Sequence, residues 1–223
     1  MLQSLYLRSS NRAAGFMRRF AQRAEGVAAV EFALIVPLML AMFLGAVEMS
    51  QAITANRRVA NIAGAIGDLV ARDENTVTDA QVLDIMNAGG FLMAPYPANT
   101  IKVSVSSVGS SSTTAATTKT EWLCTFDGSL ATAVACTCPY TVAAIPPNLV
   151  TTSDYVVVTT VTYDYAPVLF NNSAAGSMNF VKGMNNGTQA ATYKMTDTVY
   201  TKPRAAKSQL SIGGATPCSL PPF

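Results

Sequence analysis

The side chains able to do chemistry are few, and the first stands in an apolar place. Glu31 is the only charged residue in the 21-residue run from Val27 to Val47. A carboxylate at the centre of a membrane span costs several kcal/mol, roughly 2.5–3.5 on insertion scales. At 1.5 Å rise per residue, Glu31 sits only about 7 Å into such a helix, so its cost is smaller. It still calls for a cationic or hydrogen-bonding partner, or else must snorkel to the headgroups. The second reactive set is the four cysteines, Cys124, Cys136, Cys138 and Cys218, all downstream of the apolar run.

Enzymatic chemistry has little to work with. There is no histidine, which excludes Ser–His and Cys–His nucleophile pairs and every histidine-containing metal site. Asp154 and Asp164 fall on one expected strand, about 33 Å apart at 3.3 Å per residue, too far for an acid–base pair. Asp73, Glu74, Asp79 and Asp84 lack the spacing and the glycine of a calcium loop. No phosphate loop or dinucleotide fingerprint is present. The chain is expected to be no enzyme and to need no cofactor and no metal.

In an extracytoplasmic domain, four cysteines imply two disulfides. Of the three connectivities, a Cys136–Cys138 bond fits the usual Cα separation poorly. That leaves Cys124 and Cys218 each pairing with one of Cys136 and Cys138. A four-cysteine zinc site would want paired C-x-x-C knuckles, which are absent. A redox site would want one such motif.

Those groups must be positioned by the elements around them. Phe32 to Val47 is uncharged and almost wholly apolar, with none of the polar face that a soluble helix would show. The 21 residues from Val27 reach about 30 Å as a helix, the thickness of a bilayer's hydrocarbon core. Residues 1–26 carry five arginines (Arg8, Arg12, Arg18, Arg19, Arg23) against Glu25, so 5 − 1 = +4 of a chain total of +2. This basic excess keeps the N-terminus in the cytoplasm and puts everything after about residue 50 outside. A cleaved secretory signal would have a shorter apolar core and a better small-residue site after it than Ala52–Ala55 offers. With the positive charge confined to the arm, there is no basic stripe for nucleic acid.

Across the junction the chain reads Gly26-Val27-Ala28-Ala29-Val30-Glu31-Phe32. This resembles the cleavage region of type IV prepilins, in which a membrane-embedded peptidase cuts after the glycine at the cytoplasmic face. The resemblance implies a new amine at Val27, with Glu31 as fifth residue facing the amine of a neighbouring subunit or its own. The likeness continues from Gly26 to Arg72. Ala29-Val30-Glu31-Phe32-Ala33-Leu34, Pro37-Leu38, Gly45, Glu48, Arg57 and Ala63 resemble the TadE-like segment shared by the TadE, TadF and TadG proteins of the tight-adherence (Tad/Flp) pilus. Tyr163-Asp164-Tyr165-Ala166-Pro167-Val168-Leu169 is similar to a Tyr-x-Tyr-x-Pro stretch of these proteins. Thr198-Val199-Tyr200-Thr201-Lys202-Pro203-Arg204 is similar to their late strand ending in arginine. The chain is short for the large inserted domain of the bigger TadG type.

Pro37 removes one helical hydrogen bond, which membrane helices tolerate. Gly45 would permit close helix approach, and Glu48 is expected as a solvated end of the span. Beyond it Met49, Ile53, Val59, Ile62, Ala63, Ile66, Leu69 and Val70 recur mostly at steps of three and four, an amphipathic extension with Arg57 and Asn61 on its other side. It could pack on the globular part or on partner helices, and the first is the default expectation. Thr78-Asp79-Ala80-Gln81 reads as a capping box opening a short helix, with Val82, Ile85 and Met86 on its apolar face and Gly89-Gly90 at its end. From Thr100 the period becomes two: Ile101, Val103 and Val105 alternate with Lys102, Ser104 and Ser106. Further strands are expected over Glu121–Phe126, Ser153–Tyr165 and Thr192–Thr201, and loops over Ser110–Thr118 and Asn171–Asn186. The sequons Asn171-Asn172-Ser173 and Asn186-Gly187-Thr188 carry little weight in a chain whose resemblance is bacterial.

The expected fold class is α+β: a long N-terminal transmembrane helix, extended outside the membrane and packed on a small antiparallel sheet domain. Its parts are a basic cytoplasmic leader (1–26), the span (27–48), an extracytoplasmic helical segment (49–90) and a β-rich domain (91–223). The resemblance implies a pseudopilin-like component of a Tad-type pilus or secretion assembly in the bacterial inner membrane. It would pass the membrane once, with its C-terminal domain periplasmic or in a surface filament. Its partners would be other pilins or pseudopilins, the pilus machinery and a prepilin peptidase acting at Gly26 and Val27. The alternative is an unprocessed, signal-anchored extracytoplasmic binding module.

Overall fold

In the computed structural model the described residues are 25–72, 76–110, 118–128, 134–143, 145–146, 149–150, 154–167, 192–204, 209–211 and 218. The chain divides between Met49 and Ser50 into two compact units. One helix, α1 (Glu25–Ala71), runs through both and carries Pro37 without interruption. Its 47 residues give it a length of about 70 Å, more than twice what a bilayer core requires.

In the first unit, every residue of α1 from 27 to 47 is exposed or half-exposed. In the second, α1 shows one buried stripe: Ala55, Val59, Ile62, Ala63, Ile66 and Val70. Steps of three and four keep such residues on one face. Met49, Ile53 and Leu69, expected on that face, are exposed instead. The periodic set continues backward through Ala52 to Glu48, and Glu48 is buried rather than solvated.

The stripe packs on a five-stranded antiparallel sheet. Its strands are β2 (Ile101–Ser110), β3 (Thr118–Asp127), β4 (Ala135–Thr137), β5 (Tyr155–Tyr165) and β6 (Tyr193–Thr201), in the order β4-β3-β2-β5-β6. Alternation selects the buried face. Val103 lies opposite Val161 and Phe126, and Val105 opposite Thr159 and Cys124. These join Trp122, Tyr163 and the α1 stripe in one core. The other face is polar: Thr160 pairs with Thr198 (3.0 Å) and Thr162 with Thr196 (3.3 Å) through their hydroxyls, and Lys102 with Asp127 (3.4 Å). Between Ser107 and Val108 the register slips, leaving Glu121 as the extra residue of β3, fully buried.

A shorter helix, α2 (Asp79–Leu92), starts at the expected capping box: Thr78 accepts from Gln81 N–H, and the Gln81 side chain accepts from Thr78 N–H (2.8 Å). Gly89-Gly90 does not end it. Gly89 lies against α1, where an added Cβ would stand 2.8 Å from Ile66 Cδ1. The glycine serves close helix approach, and the stop falls to Pro95 and Pro97 beyond. Strand β1 (Thr76–Thr78), which leads into α2, pairs in parallel with β7 (Gln209–Ser211). Neither β1, β7 nor β4 carries a strand pattern in sequence. Ser110 and Thr118, expected in a loop, are strand ends; residues 111–117 lie outside the described set, as do Asn171–Asn186 and both sequons.

Candidate functional site

The disulfides are formed as Cys124–Cys136 and Cys138–Cys218, with Cα separations of 4.1 Å and 5.9 Å. The first joins residues directly opposite one another on β3 and β4. The second reaches across 80 residues to the C-terminal tail. All four cysteines are paired, in one of the connectivities left open by the sequence.

The candidate processing and registry residues all lie on the first turns of α1. The described helix begins at Glu25, so the Gly26–Val27 bond falls among its first described residues. Gly26 weakens the helix at that point. Val27 is 60% exposed, so the bond is accessible from the side of the helix. Glu31 is exposed as well. It stands four residues after Val27, one helical turn and about 6 Å along the axis, on the same face. An amine created at Val27 would therefore lie next to the Glu31 carboxylate, within its own helix or that of a neighbour. The five leader arginines lie outside the described residues.

Around these residues the helix surface is apolar and uncovered. Phe32, Leu34, Leu38, Met42 and Phe43 are all more than 60% exposed. Among the described residues one helix is long and apolar enough to cross a membrane, and its most apolar window is 0% buried. A core helix of a soluble protein would be covered. This supports single-pass anchoring.

The same segment is where a family resemblance falls. Residues 26–66 match the family model of TadE-like proteins. The match takes in Gly26, Glu31 and the whole span, and stops within the packed part of α1 before any strand. It supports a Tad pilus-associated component with an N-terminal apolar helix. No curated protein and no solved structure matches the chain.

The TadE-like segment leads into a domain whose late residues secure it. Tyr163 and Tyr165 are buried on β5, and Tyr165 meets Tyr96 edge-on at 6.1 Å. Ala166 and Pro167 follow, while Val168 and Leu169 lie outside the described residues. Past β6, the Arg204 N–H donates to Ala71 O (2.9 Å), satisfying a carbonyl at the end of α1. What sequence reading missed here is Arg58, whose Nη1 donates to Leu92 O (3.1 Å) and to Ala94 O. Its signal was a cation on the flank of an otherwise buried helix stripe.

Proposed function

We propose that the chain is a pseudopilin-like component of a Tad-type pilus or secretion assembly, anchored in the inner membrane, processed by a prepilin peptidase after Gly26, and not an enzyme. The observation that carries this is the uncovered apolar face of α1, with Glu31 one turn past Val27, inside the TadE-like segment. An apolar helix surface that the described residues leave bare would be covered by lipid until the subunit assembles, and by other subunits' helices afterwards. Within such a bundle Glu31 favours a cationic neighbour, because a carboxylate in hydrocarbon is costly alone. The Val27 amine is the nearest group of that kind. Cleavage would also bring Glu31 to the first turns of the shortened helix, where the macrodipole favours a negative charge.

Intact mass and N-terminal sequence of the protein from native membranes test the processing step. A chain starting at Val27 is expected. A chain starting at Met1 would remove processing and leave an unprocessed anchor bearing a binding module. The proposed partners are other pilins or pseudopilins and the inner-membrane pilus machinery.

A further inference from the structure

A second apolar surface lies on the Ser50–Phe223 unit, at the end of that unit next to the span in sequence. Segment 91–97, the last two residues of α2 and the turn beyond it, is clamped to α1. Tyr96 Oη donates to Gln51 O (3.0 Å), Arg58 Nη1 donates to Leu92 O and Ala94 O, and the Arg58 guanidinium lies 6.0 Å from the Tyr96 ring centre. Side chains on a helix lean toward its N-terminus, so the Arg58 head sits about one turn before its own Cα. The segment therefore lies beside residues 51–55 of α1. On it Phe91 is 82% exposed and Leu92 52%, and Ile53 of α1 is 48% exposed. Arg57, also exposed, adds a cation.

We propose that Phe91 and Leu92 insert into the headgroup–acyl boundary of the bilayer that α1 crosses, with Arg57 among the lipid phosphates. This rests on the reading of α1 as a membrane span. The reason is chain connectivity. Gln51 is four residues past Val47: about 6 Å along a helix, and no more than about 14 Å even if fully extended. Each interfacial layer adds roughly 5–7 Å to the hydrocarbon core. Segment 91–97 is hydrogen-bonded to Gln51 itself, so it stays within reach of that layer. A phenylalanine and a leucine left bare near arginines are the residue types that interfacial helices bury at the headgroup–acyl boundary. Arg58 holds the segment's backbone carbonyls, which keeps the two side chains presented rather than folded back.

The test uses the full chain in vesicles of phosphatidylcholine and phosphatidylglycerol, without reductant so that both disulfides persist. Spin labels are placed singly at Phe91→Cys, Leu92→Cys, Leu40→Cys in the span and Val142→Cys on the sheet domain. Accessibility to oxygen and to a water-soluble nickel chelate is then read. Labels at 91 and 92 are expected to gain oxygen contact and lose nickel contact relative to 142, at a depth shallower than 40. Labels at 91 and 92 as wet as 142, with 40 deep, would overturn the proposal and leave the span intact. Labels shielded from both reagents would mean burial against protein and overturn it equally. A wet label at 40 would overturn the span and the proposal together.

Discussion

At the scale of single residues, Glu31 and Glu48 show how one side-chain type meets two environments on one helix. Glu31 is exposed on an apolar face that the described residues leave open, while Glu48, 17 residues on, is buried. In the proposed assembly, Glu31 is the carboxylate that pairs between subunits. Glu31→Ala and Glu31→Gln are both expected to reduce incorporation into filaments several-fold with membrane insertion unchanged. Filament yield against membrane-bound subunit measures this, and normal filaments in both variants would sink the registry role. Two tyrosines give a pH signature. Burial pushes the Tyr163 hydroxyl above its ordinary value, with Tyr96 adding to this and a hydrogen bond with Thr100 opposing it. Burial, then the nearby Glu121 carboxylate, raises Tyr155 likewise. The folded chain thus holds these protons more tightly than the unfolded one. Their contribution is intact below about pH 10 and is lost as pH rises through the raised folded values. Thermal unfolding should show stability falling above about pH 10, with a shallower fall in Tyr163→Phe.

At the scale of elements, the packing of α1 on the sheet depends on how closely the two approach. At Gly67 an added Cβ would stand 2.9 Å from Thr201 Oγ1 and 3.2 Å from Thr159 Oγ1. Both threonines are short and stiff at χ1, so they yield little. Gly67→Leu is expected to destabilise the domain by about 1–3 kcal/mol, the usual cost of overpacking. Urea unfolding of the full chain in detergent checks it, and an unchanged midpoint would mean the helix can lift from the sheet freely. The contact at Gly89 explains why glycine was misread there. A glycine near the end of an apolar repeat looks like a stop in one dimension, but here it is a contact point between α2 and α1.

At the scale of the whole molecule, the disulfides divide the work by loop length. Closing 80 residues removes more unfolded-chain entropy than closing 12. The loop-entropy relation gives about 4–5 kcal/mol for the first and about 3 kcal/mol for the second, both as upper values. Replacing Cys138 and Cys218 together by serine should therefore lower the denaturation midpoint more than replacing Cys124 and Cys136 together. The reverse order would show that β4, held to β3 by the short bond, matters more to the sheet than the strapped tail does.

The sequence by itself determined whatever is carried by short-range pattern. The apolar run, its single carboxylate, the basic arm before it and the capping box at Thr78 are all readable because each depends on neighbours within a turn or on the solvent the segment must enter. The alternation of β2 and the β-branched run of β5 are legible for the same reason. Only the tertiary structure decided which way a residue at a helical step of three or four would face. It buried Val59 and Ile66 and exposed Ile53 and Leu69, because the stripe that meets the sheet is set by the sheet's position and not by hydropathy. It also decided the pairing of β1 with β7, which lie more than a hundred residues apart and are three residues long. Such short strands have no period to read, and they exist only because the two segments meet.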